Sequence, residues 1–273
     1  MEAPLIICKN CGNKFYGKYC NLCGEKVYKD KDKTIAHFFE DGLHFITHFE
    51  GTFFTTLKAM VTRPGRLSLD YCNGIRNKYF KPLSFFLLMV VIYLLFPLFE
   101  GLNMEMKFYS NNLLFGKFAS NEIHKAMMLT GMSEPGLSMV FHEKAEKLSK
   151  FLLIVIIPLT ALFFKAVLFH RRKYFFDYLV YATEVNIVFL FWGYFILPII
   201  VREILKIDLN EFIVLGIVYL YVCIYVAFSA KKFFSIKWFQ SIIISILFFL
   251  AHNIILLFIY KFILFVLTIL QIN

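Results

Sequence analysis

The sequence lacks the short motifs that carry much of hydrolytic and phosphoryl-transfer chemistry. No G-x-S-x-G elbow, no phosphate-binding glycine loop and no H-E-x-x-H occurs anywhere in its 273 residues. An enzyme is therefore the least supported class, and the chain is read as a non-enzyme. Charge is also scarce, with Asp, Glu, Lys and Arg making up 18%. The opening MEAPLIICKN has an acidic second residue and no long apolar stretch, so no secretory signal is expected there. The ~10-residue alternation of barrel strands is missing too, which excludes a transmembrane barrel.

What is present is apolar: 59% hydrophobic residues, 35 of them Phe, and a mean hydropathy of +0.67. Runs of 18 or more apolar residues predict helices that cross a bilayer, because ~20 helical residues span its ~30 Å hydrocarbon layer. Five spans are expected, at Pro82–Phe99, Phe151–Phe169, about Tyr178–Val201, Phe212–Ala230 and Trp238–Tyr260. The pattern after Lys261 either extends the fifth span or lies at the interface. The chain divides into a cysteine-rich module (1–30), an amphipathic and juxtamembrane helical segment (31–81) and a transmembrane helical domain (82–273) with a polar loop at 100–150. The fold class is an all-α polytopic membrane protein with a small N-terminal zinc ribbon.

The module reads CKNCGNKFYGKYCNLCG. Cys8 and Cys11 form one C-x-x-C pair, Cys20 and Cys23 another, and Gly12 and Gly24 follow them. Two thiolates separated by two residues can reach one ion, and two such pairs complete the tetrahedron that zinc prefers. The glycines permit the tight turn after each pair. Zinc is the expected cofactor, in a closed structural site. The intervening GNKFYGKY is expected to form a short hairpin.

Residues 34–60 read as an amphipathic helix, with Ile35, Phe39, Ile46, Phe49, Phe53, Leu57 and Met60 on one side. His37, Asp41, His44 and His48 share the opposite face. They are either ligands for a second metal or the polar side of a helix lying in the membrane interface. Arg63, Arg66, Arg76, Lys78 and Lys81 beside Tyr71, Tyr79 and Phe80 suit anionic headgroups. Within the spans, Lys165, Glu184, His252 and Asn253 are the costly polar residues. Lys165 and Glu184 lie ~8–11 Å inside the same boundary, at 1.5 Å per residue, so they either pair or act separately. His252 and Asn253 suit interhelical hydrogen bonds or a polar pathway.

The formal net charge of +10 fits the excess of Lys and Arg on the cytoplasmic side of membrane proteins better than it fits nucleic acid. The segment up to Lys81 carries 13 Lys and Arg, and the HRRK and KKFFSIK turns fall on the same side. REILKIDLNE, on the other side, carries two bases against three acids. The N-terminus is therefore expected in the cytoplasm, where thiols stay reduced, and the C-terminus outside.

RPGRLSLDYCNGIRNKYFKP (63–82) resembles an uncharacterised bacterial family of zinc-ribbon membrane proteins known as a domain of unknown function. Thr56, Leu57, Pro64, Gly65, Tyr71, Gly74, Arg76, Tyr79 and Pro82 carry the resemblance, and RRKYFFDYLVYATE (171–184) adds to it. Asp177 and Glu184 stand where the family often has histidines. The resemblance implies a bacterial cytoplasmic (inner) membrane location and a zinc ribbon, and it implies no activity. Two functions fit the sequence: a membrane-anchored adaptor or effector that docks a cytosolic protein on the ribbon, or an oligomeric channel or small transporter using Glu184, Lys165 and His252.

Overall fold

The computed structural model describes residues 5–29, 32–36, 38–39, 52–95, 105–197, 199–204, 206 and 211–272. The N-terminal module is a minimal β-structure: β1 (Ile6–Ile7) pairs antiparallel with β2 (Lys14–Phe15), Ile6 opposite Phe15. Its second half is closed by a bridge between Tyr19 and Lys26. Here the structure corrects the expectation of a hairpin between the knuckles. Each knuckle is itself the turn of a hairpin, because its two cysteines must face each other across a short reversal.

Helices follow: α1 (Thr52–Thr62), α2 (Arg66–Cys72), α3 (Pro82–Leu95), α4 (Met106–Ser110), α5 (Gly116–Thr130) and α6 (Glu134–Leu152). A single 3₁₀ turn (Leu153–Val155) leads into α7 (Ile156–Leu168). Then come α8 (Phe175–Leu190), α9 (Glu211–Phe234), α10 (Trp238–Ile254) and α11 (Lys261–Ile272). π-helical turns continue α8 at Phe191–Ile196 and Ile199–Ile204, and another joins α10 to α11 at Ile255–Tyr260.

Among the described residues three helices are long and apolar enough to cross a membrane: Phe175–Gly193, Ile213–Phe234 and Trp238–Ile272. A fourth crossing arises if α6 and α7, bent by 50° at the 3₁₀ turn, act as one. The bend revises the expected Phe151–Phe169 span, since α7 alone would reach only ~20 Å at 1.5 Å per residue. The first expected span is represented by a shorter apolar helix at Pro82–Ile92, and its residues 96–99 lie outside the described residues. The final helix continues past Lys261 without a break. It runs unbroken for 35 residues, ~52 Å of helix, well beyond the hydrocarbon thickness.

α8 is the axis of the bundle. All residues from Phe176 to Leu190 are buried, because α2, α3, α7 and α9 pack around it. That explains its apolar sequence on every face: a helix with no free side shows no amphipathic stripe. A second apolar cluster lies apart from it, where α4, α5 and α6 fold over the far half of the last helix. Tyr109 and Phe141 are its centre, with Phe265 from α11 at 5.1 Å and 5.9 Å from their rings.

Candidate functional site: a four-thiol module clamped to a buried carboxylate knot

Cys8, Cys11, Cys20 and Cys23 bring their sulfurs within 4.8 Å of one another. Cys8 Sγ lies 3.5 Å from Cys23 Sγ, and Cys11 Sγ 3.6 Å from Cys20 Sγ. Thiolates bound to one zinc at ~2.3 Å stand ~3.8 Å apart at tetrahedral corners, so the donor set fits a single ion. The two knuckles repeat one backbone pattern. Cys8 N–H donates to Asn13 O at 2.8 Å and Cys20 N–H to Glu25 O at 2.9 Å. Gly12 N–H closes back on Cys8 O and Gly24 N–H on Cys20 O, with φ of +78° and +69° at the two glycines. Asn10 and Asn13 direct side-chain amides at Cys23 and Cys20 sulfurs, 3.7 Å and 3.8 Å away. The thiols pull on one another: against its burial, the N–H groups of Cys23 and Leu22 and the neighbouring thiols lower the Cys20 pKa to about 6, whereas burial, with Cys8 and Cys20, raises that of Cys23. Thiolate is the form a metal binds.

The module is seated on the segment between α2 and α3. Glu25, directly after the second knuckle, accepts from Arg76 N at 3.1 Å and Asn77 N at 3.0 Å. Burial pushes its carboxyl pKa up, and those two N–H groups and the Arg76 charge oppose the rise. Asn77 Nδ2 donates to Cys23 O at 3.2 Å and Lys9 Nζ to Asn73 O at 2.9 Å. The Arg76 guanidinium sits 3.5 Å from the Tyr28 ring centroid, 4.6 Å from Tyr71 and 5.1 Å from Phe176. Arg76 thus joins module, juxtamembrane segment and α8 by cation–π contacts. With 5% of its surface exposed, it is withdrawn from the headgroup role expected of it. Arg63 and Lys78 remain exposed. Arg66 is half-exposed and pairs with Asp70 at 2.9 Å. Lys81 is partly buried.

Deeper in, Glu184 anchors the same segment. Its Oε1 accepts from Gly65 N at 3.0 Å and Tyr225 O–H at 2.5 Å. Its Oε2 accepts from Ser68 N at 2.8 Å and from the Ser68 hydroxyl. A carboxylate from α8 thereby caps α2, whose N-cap residue Gly65 has no side chain to do so. Gly65 is required twice over: its φ is +75°, and a Cβ there would stand 2.6 Å from Ser229 O. Around the knot, Tyr79 O–H donates to Asp70 at 2.7 Å and Thr56 Oγ1 accepts from Phe80 N at 2.7 Å. Burial, then Asp70, push the Tyr79 pKa up to about 12.

Lys165 and Glu184 do not pair. Lys165 is exposed, its Nζ 5.2 Å from the Phe175 ring centroid, on the outer side of α7, whereas Glu184 points toward α2 and α9. His252 and Asn253 also separate. His252 is buried, 3.3 Å from both Tyr219 O–H and Asn186 Oδ1, linking α8, α9 and α10. Asn253 donates to its own helix at Phe249 O. His37, Asp41, His44 and His48 lie outside the described residues. Sequence reasoning missed Glu25, Ser68, Tyr225, Asn186 and Tyr219. Only Glu25 had a local signal, its place beside the second knuckle.

The geometry defines a class: a helical protein with membrane-length helices, carrying a possible metal-binding four-cysteine cluster clamped to its juxtamembrane segment. Residues 50–94 match the model of a family described as protein of unknown function (DUF3667). That segment holds Gly65 and Ser68, which bond Glu184 of α8, Arg76, which joins the module to α8, and Thr56, Asp70 and Tyr79, which brace the segment itself. No curated protein and no solved structure matches the chain significantly.

Proposed function

We propose that this chain is a multi-pass protein of the bacterial cytoplasmic membrane whose N-terminal module is a structural zinc ribbon on the cytoplasmic side. In this reading the ribbon is an adaptor surface for a cytosolic protein partner. The observation that carries it is the module's two unlike sides. One is fixed to the bundle through Glu25, Lys9 and Tyr28. Elsewhere the module leaves Tyr16, Tyr19 and Leu22 exposed by 60–72%, beside Lys14 and Lys18. Four thiolates close the metal site, so zinc supplies stability rather than chemistry. A rigid mount with exposed tyrosines suits recognition, since tyrosine is enriched among the residues that carry binding energy at interfaces.

A photo-crosslinking side chain at position 22, introduced in intact cells, tests this. One discrete adduct is expected, lost on Tyr16→Ser and retained on Lys165→Met. An adduct pattern indifferent to Tyr16 contradicts the adaptor reading.

An oligomeric channel or small transporter is the second reading. The three π-helical segments favour it, because π turns recur at functional sites, and two of them follow Asn186 and His252 by a few residues. Flux through liposomes, compared between the native chain and His252→Ala, decides it.

A further inference from the structure

A groove of about 300 Å³ opens on the outside of the bundle between the C-terminal end of α7 and the start of α10. Its shape follows from packing. The two helices touch where Phe164 stacks on Phe248, ring centroids 5.5 Å apart. Beyond that contact, by Leu168 and Ile244, lies the groove. The walls are apolar, built by Val167, Leu168, Ile243 and Leu247, and His170 and Arg171 stand at the mouth. No acidic side chain lines it.

Its level in the membrane is marked by neighbours. Trp238 starts α10 there, with Lys231 Nζ 4.2 Å from its ring centroid, a pairing typical of the headgroup boundary. Arg172 is already engaged: its guanidinium donates to Phe233 O and lies 4.2 Å from that residue's ring centroid. Arg171 is exposed, and among the described residues nothing pairs with its guanidinium.

We propose that this groove is a binding site for an anionic phospholipid, with an acyl chain between α7 and α10 and the phosphate against Arg171 and His170. An apolar slot facing lipid, lined by one arginine, Arg171, and no acid, matches that ligand in both polarity and charge. A zwitterionic lipid fills the slot equally well but brings its own cation to the mouth. The site is separate from the ribbon and independent of the adaptor reading.

Native mass spectrometry of the full-length chain in detergent tests it, with phosphatidylglycerol and phosphatidylcholine of identical acyl chains. The native protein retains phosphatidylglycerol more tightly. Arg171→Ala weakens that lipid about five-fold, one base's contribution, and leaves phosphatidylcholine unchanged. Arg171→Lys restores most of the loss. Ile243→Trp, which fills the slot without altering charge, weakens both lipids, and Lys125→Ala, an exposed base on α5, weakens neither. Equal retention of the two lipids by the native protein overturns the proposal, as does an Arg171→Ala protein that binds phosphatidylglycerol like the native one. Displacement of the lipid by millimolar inorganic phosphate overturns the acyl-chain half of it.

Discussion

Gly65 and Glu184 show how single residues set the architecture. A side chain at 65 meets two penalties, the left-handed backbone and the Ser229 carbonyl 2.6 Å from its Cβ. Gly65→Ala should therefore cost at least the ~1–2 kcal/mol of left-handed strain alone, read as a lowered Tm in detergent. Glu184→Ala strands four donors in a buried site, Gly65 N, Ser68 N, the Ser68 hydroxyl and Tyr225 O–H. At ~1–3 kcal/mol for a buried unsatisfied group, it should be among the most damaging substitutions in the bundle. Lys165→Met should leave Tm nearly unchanged, and the coupling energy between positions 165 and 184 in a double-mutant cycle should be near zero. A large coupling would restore the ion pair that the structure replaces. The contrast is physical. The cysteine pairs are legible in the sequence because their chemistry depends on a two-residue spacing. The partners of Glu184 are not, because they lie up to 119 residues away in sequence and Gly65 and Ser68 N–H groups leave no mark in composition.

At the scale of elements, the module and the bundle obtain their stability from different sources. The knuckles have a core of little more than Cys8, Phe15 and Cys20, far too small to hold a fold without help. Metal removal with a strong chelator, or Cys20→Ser, should unfold residues 5–29 and open them to protease. The α7–α10 fragment should stay intact, since its backbone bonds are satisfied within each helix. Glu25→Ala should release the module from the 76–77 backbone while metal remains bound, seen as faster proteolysis near residues 29–33 without loss of metal. If Glu25→Ala and Cys20→Ser gave the same metal content, clamp and metal site would not be separable. Helix existence was legible from long apolar runs, but the packing of residues 106–152 as three helices against α11 was not. The 50° bend at Leu153–Val155 and the union of α10 with α11 were not. Both depend on what packs beside the chain: α6 turns aside to cover α11, and Phe265 and Ile269 of α11 find partners in α4 to α6.

For the whole molecule, the contacts place the module, the Arg172 turn and the start of α10 at one end, with the α4–α6 cluster at the other. Arg172 reaches Phe233 O, Gly65 adjoins Ser229, and Lys9 reaches Asn73 O, so the basic turns and the cysteine module share one end of the bundle. The account rests on that module being a zinc-held unit. Its most direct test is the metal-to-protein ratio of the purified chain by inductively coupled plasma mass spectrometry, alongside Cys20→Ser prepared identically. One zinc per native chain and none in the variant is the predicted result. A native chain without metal whose residues 5–29 still resist protease, or a Cys20→Ser chain that keeps its zinc, would contradict it.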